Sequence, residues 1–162
     1  MVAPGTPFRP AAGLTAELFT VPGKVPLYLE DRAAAAPEAG PAYAARIEAH
    51  GRVLIVAPAC AAITEEVRDR LAGADALLFD GTLYNDEEMQ EAGVGAKTGR
   101  RMGHAPITGA GGSLDFLAGL PGRRIYYHIN NTNPILLEGS PERREVERAG
   151  IEVAHDGMEV RL

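Results

Sequence analysis

At 162 residues with 46% hydrophobic content, the chain is long enough for one domain with a single sizeable core. A net charge of -6 disfavours a nucleic-acid or anionic-membrane surface, and one cysteine excludes both an intrachain disulfide and a cysteine-based zinc cluster. No apolar run approaches the roughly 20 residues of a membrane span, and the N-terminus lacks the pattern of a signal peptide, so the cytoplasm is the default location.

Residues 1–13 are rich in proline and glycine and read as an irregular N-terminal segment. Leu14 to Val21 alternates Leu14, Ala16 and Leu18 against Thr15, Glu17 and Phe19, which predicts a strand. Pro22-Gly23 turns the chain into a short extended piece, Val25 to Leu29, and residues 31–41 read as an exposed loop. Tyr43–Ala49 and Arg52–Ala57 flank His50-Gly51, a hairpin with glycine where positive φ is needed. His50 is a solvated turn residue on this reading, and Cys60 is packing rather than a nucleophile.

Thr64 caps a helix whose apolar face is Ile63, Val67 and Leu71, with Glu65 and Glu66 in the first turn and Gly73 at its end. The run Ala76 to Phe79 is too short for a core helix and reads as a buried strand. It ends on Asp80, followed at once by glycine. Strand, helix and strand make a βαβ-like unit with an acid at the end of its second strand, where sites collect in layered α/β folds. A buried carboxylate is costly unless something pairs with it, so Asp80 demands an explanation.

Asp86 to Glu91 is acidic and short of apolar anchors. Gly95 to Met102 carries Lys97, Arg100 and Arg101, and is either an anion-binding lid or a solvated loop. Ser113 is placed to cap a helix presenting Leu114, Leu117 and Leu120; the glycines before it lack the Lys-Ser/Thr pair of a phosphate cradle. Arg123 to Ile129 forms the next strand and delivers His128, followed by Asn130, Asn131, Thr132 and Asn133, a polar set suited to a hydrogen-bonded site loop. Ser140-Pro141-Glu142 opens the last helix, with Val146 and Ala149 inward and Gly150 at its end. Ile151–Ala154 and Met158–Val160 close the chain as strands around His155-Asp156-Gly157.

Asp80, His104, His128 and His155 all fall at or beside strand ends. Imidazoles with a carboxylate suit zinc, or iron with open positions. No H-x-x-x-H spacing carries the signal, and histidines completing a hydrogen-bond network are the competing explanation.

The order of the motifs adds to this. "ADALLFDGTL", then "GH" before a glycine-rich approach to a helix, then "YYHINNTNPIL", then "AHDGMEV" resembles the second half of the metallo-β-lactamase-like fold, with ribonuclease Z among its members. "VPGKVPLYLE", "KTGRRMGHAPITGAGGSL", "HINNTNPIL" and "SPERREVERAGIEVAHDGME" are closer still to the family of coenzyme PQQ synthesis protein B, over residues 14–162. The resemblance implies an α/β fold, the C-terminal half of an αββα sandwich. It places Asp80 and His128 as metal ligands, His104 as a proton-moving or substrate-facing group, and His155 beside the pocket. Arg100, Arg101, Asn130, Asn131 and Asn133 are implied to bind substrate, the asparagines also orienting the His128 ring.

The superfamily's H-x-H-x-D-H signature is absent from the sequence, which leaves two expected ligands where a catalytic zinc or iron has three. A half-sandwich predicts an exposed apolar sheet face or obligate association, with a second copy or a complementing N-terminal half. The function implied is pyrroloquinoline quinone (PQQ) biosynthesis, by Fe(II)-dependent hydroxylation of a tyrosine-derived precursor, with Zn the alternative metal. A non-catalytic carrier for PQQ or its precursor is the competing role. The expected partner is a small-molecule or peptide-derived precursor, not a nucleic acid or a membrane.

Overall fold

A computed structural model describes residues 2–24 and 40–162. The extended piece expected at 25–29 and most of the loop expected at 31–41 lie outside the described residues. The frame is a six-stranded sheet in sequence order: β1 (Thr15–Pro22), β2 (Pro41–Ala49), β3 (Arg52–Ala57), β4 (Ala76–Asp80), β5 (Arg123–Tyr127) and β6 (Glu152–Val153). β1, β2 and β3 pair antiparallel, and β3 to β6 run parallel. The change follows from the connections. A two-residue turn at His50-Gly51 reverses the chain, both residues having positive φ, whereas each parallel step needs a crossover.

Those crossovers carry the helices. α1 (Glu65–Leu71) joins β3 to β4; its cap is Thr64, whose Oγ1 accepts the Val67 N–H at 3.3 Å. Between β4 and β5 lie α2 (Glu88–Glu91), α3 (Gly99–Met102) and α4 (Leu114–Ala118). After β5 a 3₁₀ turn at Pro134–Leu136 leads to α5 (Pro141–Arg148), capped by Ser140. No helix among the described residues is long and apolar enough to cross a membrane.

Residues two apart along a strand share a face. One face carries Phe19, Val21, Ala44, Val53, Ile55, Ala57, Leu77, Phe79, Tyr126 and Val153, buried with Val67 and Leu71 of α1, Leu117 of α4 and Val146 of α5. The other carries Leu18, Ala45, Ile47, Leu54, Val56, Leu78 and Tyr127, which are half-buried, and Tyr43, which is exposed, with Ala16, Ala76 and Ile125 buried on the same face. That half-exposed apolar face matches the expectation for a sheet covered on one side.

Several local expectations are corrected. The alternation in β1 left its core face open; the core takes Phe19 and Val21, while Ala16, on the other face, is buried and bridges to Phe8. Ser113 makes no capping bond; its hydroxyl meets the Tyr126 hydroxyl at 2.8 Å, because its own backbone is already helical. β5 stops at Tyr127, since His128 takes φ +56 and breaks the ladder. At the C-terminus only Glu152–Val153 is a strand; 158–160 is not.

Candidate metal centre

The parallel pairing of β4 with β5 sets Asp80 opposite Tyr127, so the two loops that follow leave the sheet side by side. Gly81 lets them touch. Its N–H donates to the Tyr127 carbonyl at 2.8 Å, and a Cβ there would lie 2.9 Å from Tyr126 Cβ. No larger residue fits without moving β5.

Asp80 is fully buried. Its Oδ1 accepts from Thr82 Oγ1 at 2.6 Å and Thr82 N–H at 3.2 Å; its Oδ2 accepts from Cys60 N–H at 3.0 Å and meets His104 Nδ1 at 2.8 Å. Four contacts occupy the roughly four acceptor sites of a carboxylate. These partners answer the desolvation question raised by an acid in the sheet interior.

His104 follows α3, whose end is set by Gly103 in the left-handed region at φ +97. The His104 N–H donates to Gly99 O at 2.9 Å, and Ala105 N–H to Cys60 O at 2.6 Å, which pins this loop over the end of β3. The His104 side chain is 15% exposed and that of His128 51%, so the second imidazole is the open one. The two rings stack with centroids 5.4 Å apart and planes at 22°. His128 Nδ1 lies 4.0 Å from Asp80 Oδ1. One ligand atom each from Asp80, His104 and His128 falls within 4.8 Å of the others.

The two strand tips therefore converge, and His104 stands within the donor group rather than behind it. Two imidazoles and one carboxylate make the three-ligand set found at catalytic zinc and at non-haem iron, so the donor chemistry fits such an ion. The sequence pointed to two of the three.

His155 is exposed, and its Nδ1 contacts Asp156 O at 3.1 Å within its own turn. It shares with Tyr127, His128 and Leu136 the wall of an open cavity of ≈ 300 Å³, but stands outside the Asp80 group. Arg100 is turned elsewhere. Its guanidinium donates to Ala110 O at 2.5 Å, lies 3.9 Å from Asp86 Oδ2, and lines a separate cleft of ≈ 230 Å³. Arg101 is exposed on α3.

The asparagines do not hold the His128 ring as expected. Asn133 is buried, donating to Gly81 O at 2.9 Å and accepting from Ile135 N–H at 3.1 Å, so it fastens the two tip loops together and is closed to a ligand. Asn130 bonds Thr132 Oγ1 at 2.6 Å, and Asn131 is exposed. His128 Nδ1 meets Thr82 Oγ1 instead, at 2.9 Å.

Thr82, the Cys60 N–H and Glu88 were missed in the sequence. Thr82 follows Asp80 by two, a spacing at which a hydroxyl reaches a carboxylate locally, so a signal existed. Glu88 had none, lying in an acidic segment read as too short of apolar anchors to join the core. It is buried: Oε2 accepts Tyr84 N–H at 2.6 Å and Oε1 accepts Thr132 Oγ1–H at 2.5 Å, joining the post-β4 loop to the loop that carries His128. Burial pushes its carboxyl above the usual range, opposed by those bonds. Burial pushes the Cys60 thiol up to about 12, with the Asp80 charge adding to it, and the Tyr127 phenol rises for the same two reasons.

A family model described as a beta-lactamase superfamily domain matches residues 1–129. Coenzyme PQQ synthesis protein B of Methylobacterium nodulans is 58% identical over 160 residues, covering 96% of this chain and 52% of that protein. The protein of the same name from Rhizobium meliloti is 54% identical over 160 residues, with the same two coverages of 96% and 52%. The crystal structure of Zn(2+)-bound PqqB from Methylobacterium extorquens superposes with a TM-score of 0.89 at 50% identity, over 99% of this chain and 55% of that one. YhfI of Bacillus subtilis, a metallo-beta-lactamase fold protein, gives 0.55 at 16% identity over 94% of this chain and 50% of that one, a likeness of fold alone. The chain thus spans about half the length of the curated relatives it matches. With that span, an α/β fold of the metallo-β-lactamase kind and high identity to PQQ synthesis proteins B, the chain belongs to the beta-lactamase superfamily.

Proposed function

We propose that this chain acts in PQQ biosynthesis, its strand-tip site serving a metal-dependent hydroxylation of a tyrosine-derived precursor. The observation that carries the reading is the convergence of Asp80, His104 and His128 in a chain 58% identical to a protein named for PQQ synthesis. Asp80, His104 and His128 would hold the ion. Zinc has no redox chemistry, so the hydroxylation reading requires iron at the site; a solved relative is described as Zn(2+)-bound, and imidazole and carboxylate donors suit zinc as well.

A bound iron would supply oxygen activation and Lewis acidity. The chain's own residues bind, orient and move protons. Asp80 orients His104 through Nδ1 at 2.8 Å and so fixes the ring within the donor group. The open cavity beside His128 would take the precursor's ring against Tyr127, Ile129 and Leu136, with His155 at its edge. Arg101 and Asn131 are exposed near the ends of α3 and β5 and remain the substrate-facing groups of this reading; Arg100 and Asn133 are engaged elsewhere. The half-exposed sheet face would be covered in the working protein, by a second copy or by a polypeptide matching the part of the relatives outside this chain's span.

The test is metal content. Full-length chain loaded anaerobically with Fe(II) is expected to hold one equivalent, lost in Asp80→Ala, and to hydroxylate a tyrosine-containing precursor peptide. PQQ binding that is indifferent to EDTA, in a chain that holds no iron, would favour the carrier role instead.

A further inference from the structure

The β4–β5 ladder ends at Tyr127, yet the loops beyond it stay side by side. His128 leaves the ladder at φ +56, a left-handed backbone that a residue other than glycine keeps only where its surroundings over-determine it. Ties beyond the ladder supply that determination. Asn130 N–H donates to Thr82 O at 3.1 Å, and Asn133 Nδ2 donates to Gly81 O at 2.9 Å. A further tie comes from α2: Glu88 Oε1 accepts the Thr132 hydroxyl at 2.5 Å, while its Oε2 accepts Tyr84 N–H at 2.6 Å.

The tie from α2 differs from the others in its chemistry. Glu88 is 5% exposed, and a carboxylate taken out of water is unfavourable unless donors surround it, so packing alone would be served better by an apolar side chain. What an acid adds is strength, because bonds to an ionised acceptor are about twice as strong as neutral ones. The donors run one way, from Asn130 Nδ2 to Thr132 Oγ1 at 2.6 Å and from the Thr132 hydroxyl on to Glu88. The next residue of α2 adds to the hold, with Asn130 Nδ2 3.3 Å from Met89 Sδ. The two segments joined in this way are those that leave Asp80 and His128, whose Oδ1 and Nδ1 lie 4.0 Å apart.

We infer that Glu88 is a positioning residue for the metal centre: its buried carboxylate, acting through Thr132, clasps the loop behind His128 to the loop behind Asp80 and so keeps the His128 ring in the donor group. This deepens the proposed function and rests on it for the ion, but not for the clasp. Glu88 stands outside the group of Asp80, His104 and His128, so replacing it leaves all three side chains in the chain and alters only how they are held.

The experiment uses the full chain and two measurements: amide hydrogen exchange on the metal-free protein, and Co(II) titration. Glu88→Ala removes the clasp from one end, and Thr132→Val, of nearly the same shape, removes it from the other. In both, exchange at Asn130 N–H is expected to be about tenfold faster, as loss of a hydrogen bond implies, while the amides of β3 keep their protection. Co(II) affinity should fall about tenfold to a hundredfold in each, recover in large part in Glu88→Gln, and fall no further in the double variant. Unchanged Asn130 exchange or unchanged Co(II) affinity in Glu88→Ala overturns the inference, and Thr132→Val gives the same decision if Glu88→Ala does not fold. Losses that add in the double variant overturn it too, since Glu88 would then act other than through Thr132. If wild type holds no Co(II), the metal reading fails and Asn130 exchange alone decides the clasp, so the two are separable.

Discussion

Asp75 and Asp80 bracket the same short strand and behave as opposites. Asp75, before β4, is 28% exposed; it takes Arg52 Nη1 on one oxygen and Val53 N–H, at 2.8 Å, on the other. Those bonds, the Val53 N–H before the guanidinium, hold its carboxyl below the usual range. Asp80, at the other end, is fully buried and is met by two backbone N–H groups, a hydroxyl and an imidazole. The first arrangement pins a strand start with a fixed cation. The second surrounds a carboxylate with groups that can change bonding state, one of them a ring whose nitrogens can also ligate a metal. An acid's neighbours, more than its burial, separate a fastening from a site.

The largest effect should come from breaking the second arrangement. Asp80→Ala leaves the Cys60 and Thr82 N–H groups without their acceptor in a buried place, at about 1–3 kcal/mol for each orphaned donor. A fall in denaturation midpoint large enough to lower soluble yield is expected, together with loss of metal binding. Asp80→Asn should recover much of the stability but not the His104 orientation. Thermal melts beside metal titration measure the split.

Glu88 lies between the two extremes, buried and tied to Tyr84 and Thr132. Its folded carboxyl titrates above its ordinary value near 4.5, so the folded form holds its proton longer than the unfolded one. Stability contributed by this group therefore falls as pH rises from about that value through the folded one. Glu88→Gln should flatten the slope of melting temperature against pH in that window. An unchanged slope would place the buried acid's effect elsewhere.

For Asp75 the sign reverses. Its carboxyl is lowered from 3.8, so its contribution is present above that value and lost as pH falls through the folded one. Asp75→Asn should remove that acid limb, with a smaller loss at neutral pH than any change at Asp80, because surface ion pairs contribute little. The smallest effect concerns Cys60, fully buried with its thiol raised to about 12. Alkylation by iodoacetamide at neutral pH should be negligible in the folded chain and complete after denaturation; modification of folded protein would show that this loop opens.

The βαβ unit was legible because its signals are local: Thr64 before two glutamates, Val67 and Leu71 four apart, and Gly73 at the end. Asp80 was legible because an acid directly ending an apolar run has few structural excuses. What could not be read was convergence. His104 reaches Asp80 from 24 residues away, through a loop fastened by Ala105 to Cys60, and no local spacing encodes that contact. The core face of β1 could not be read because alternating Leu14, Ala16 and Leu18 fits the half-exposed face as well as the core; only pairing with β2, Phe19 opposite Ala44, chooses. His155 was placed beside the pocket by the resemblance of the closing turn, and it lines the open cavity next to His128 but stands outside the Asp80 group.

X-ray absorption on the full chain reconstituted with one equivalent of Zn(II) tests the central claim most directly. Convergence of the β4 and β5 tips predicts a tightly held ion with two imidazoles in its shell, falling to one in His104→Ala and in His128→Ala. An ion that is not retained, or a shell unchanged by both substitutions, would contradict it.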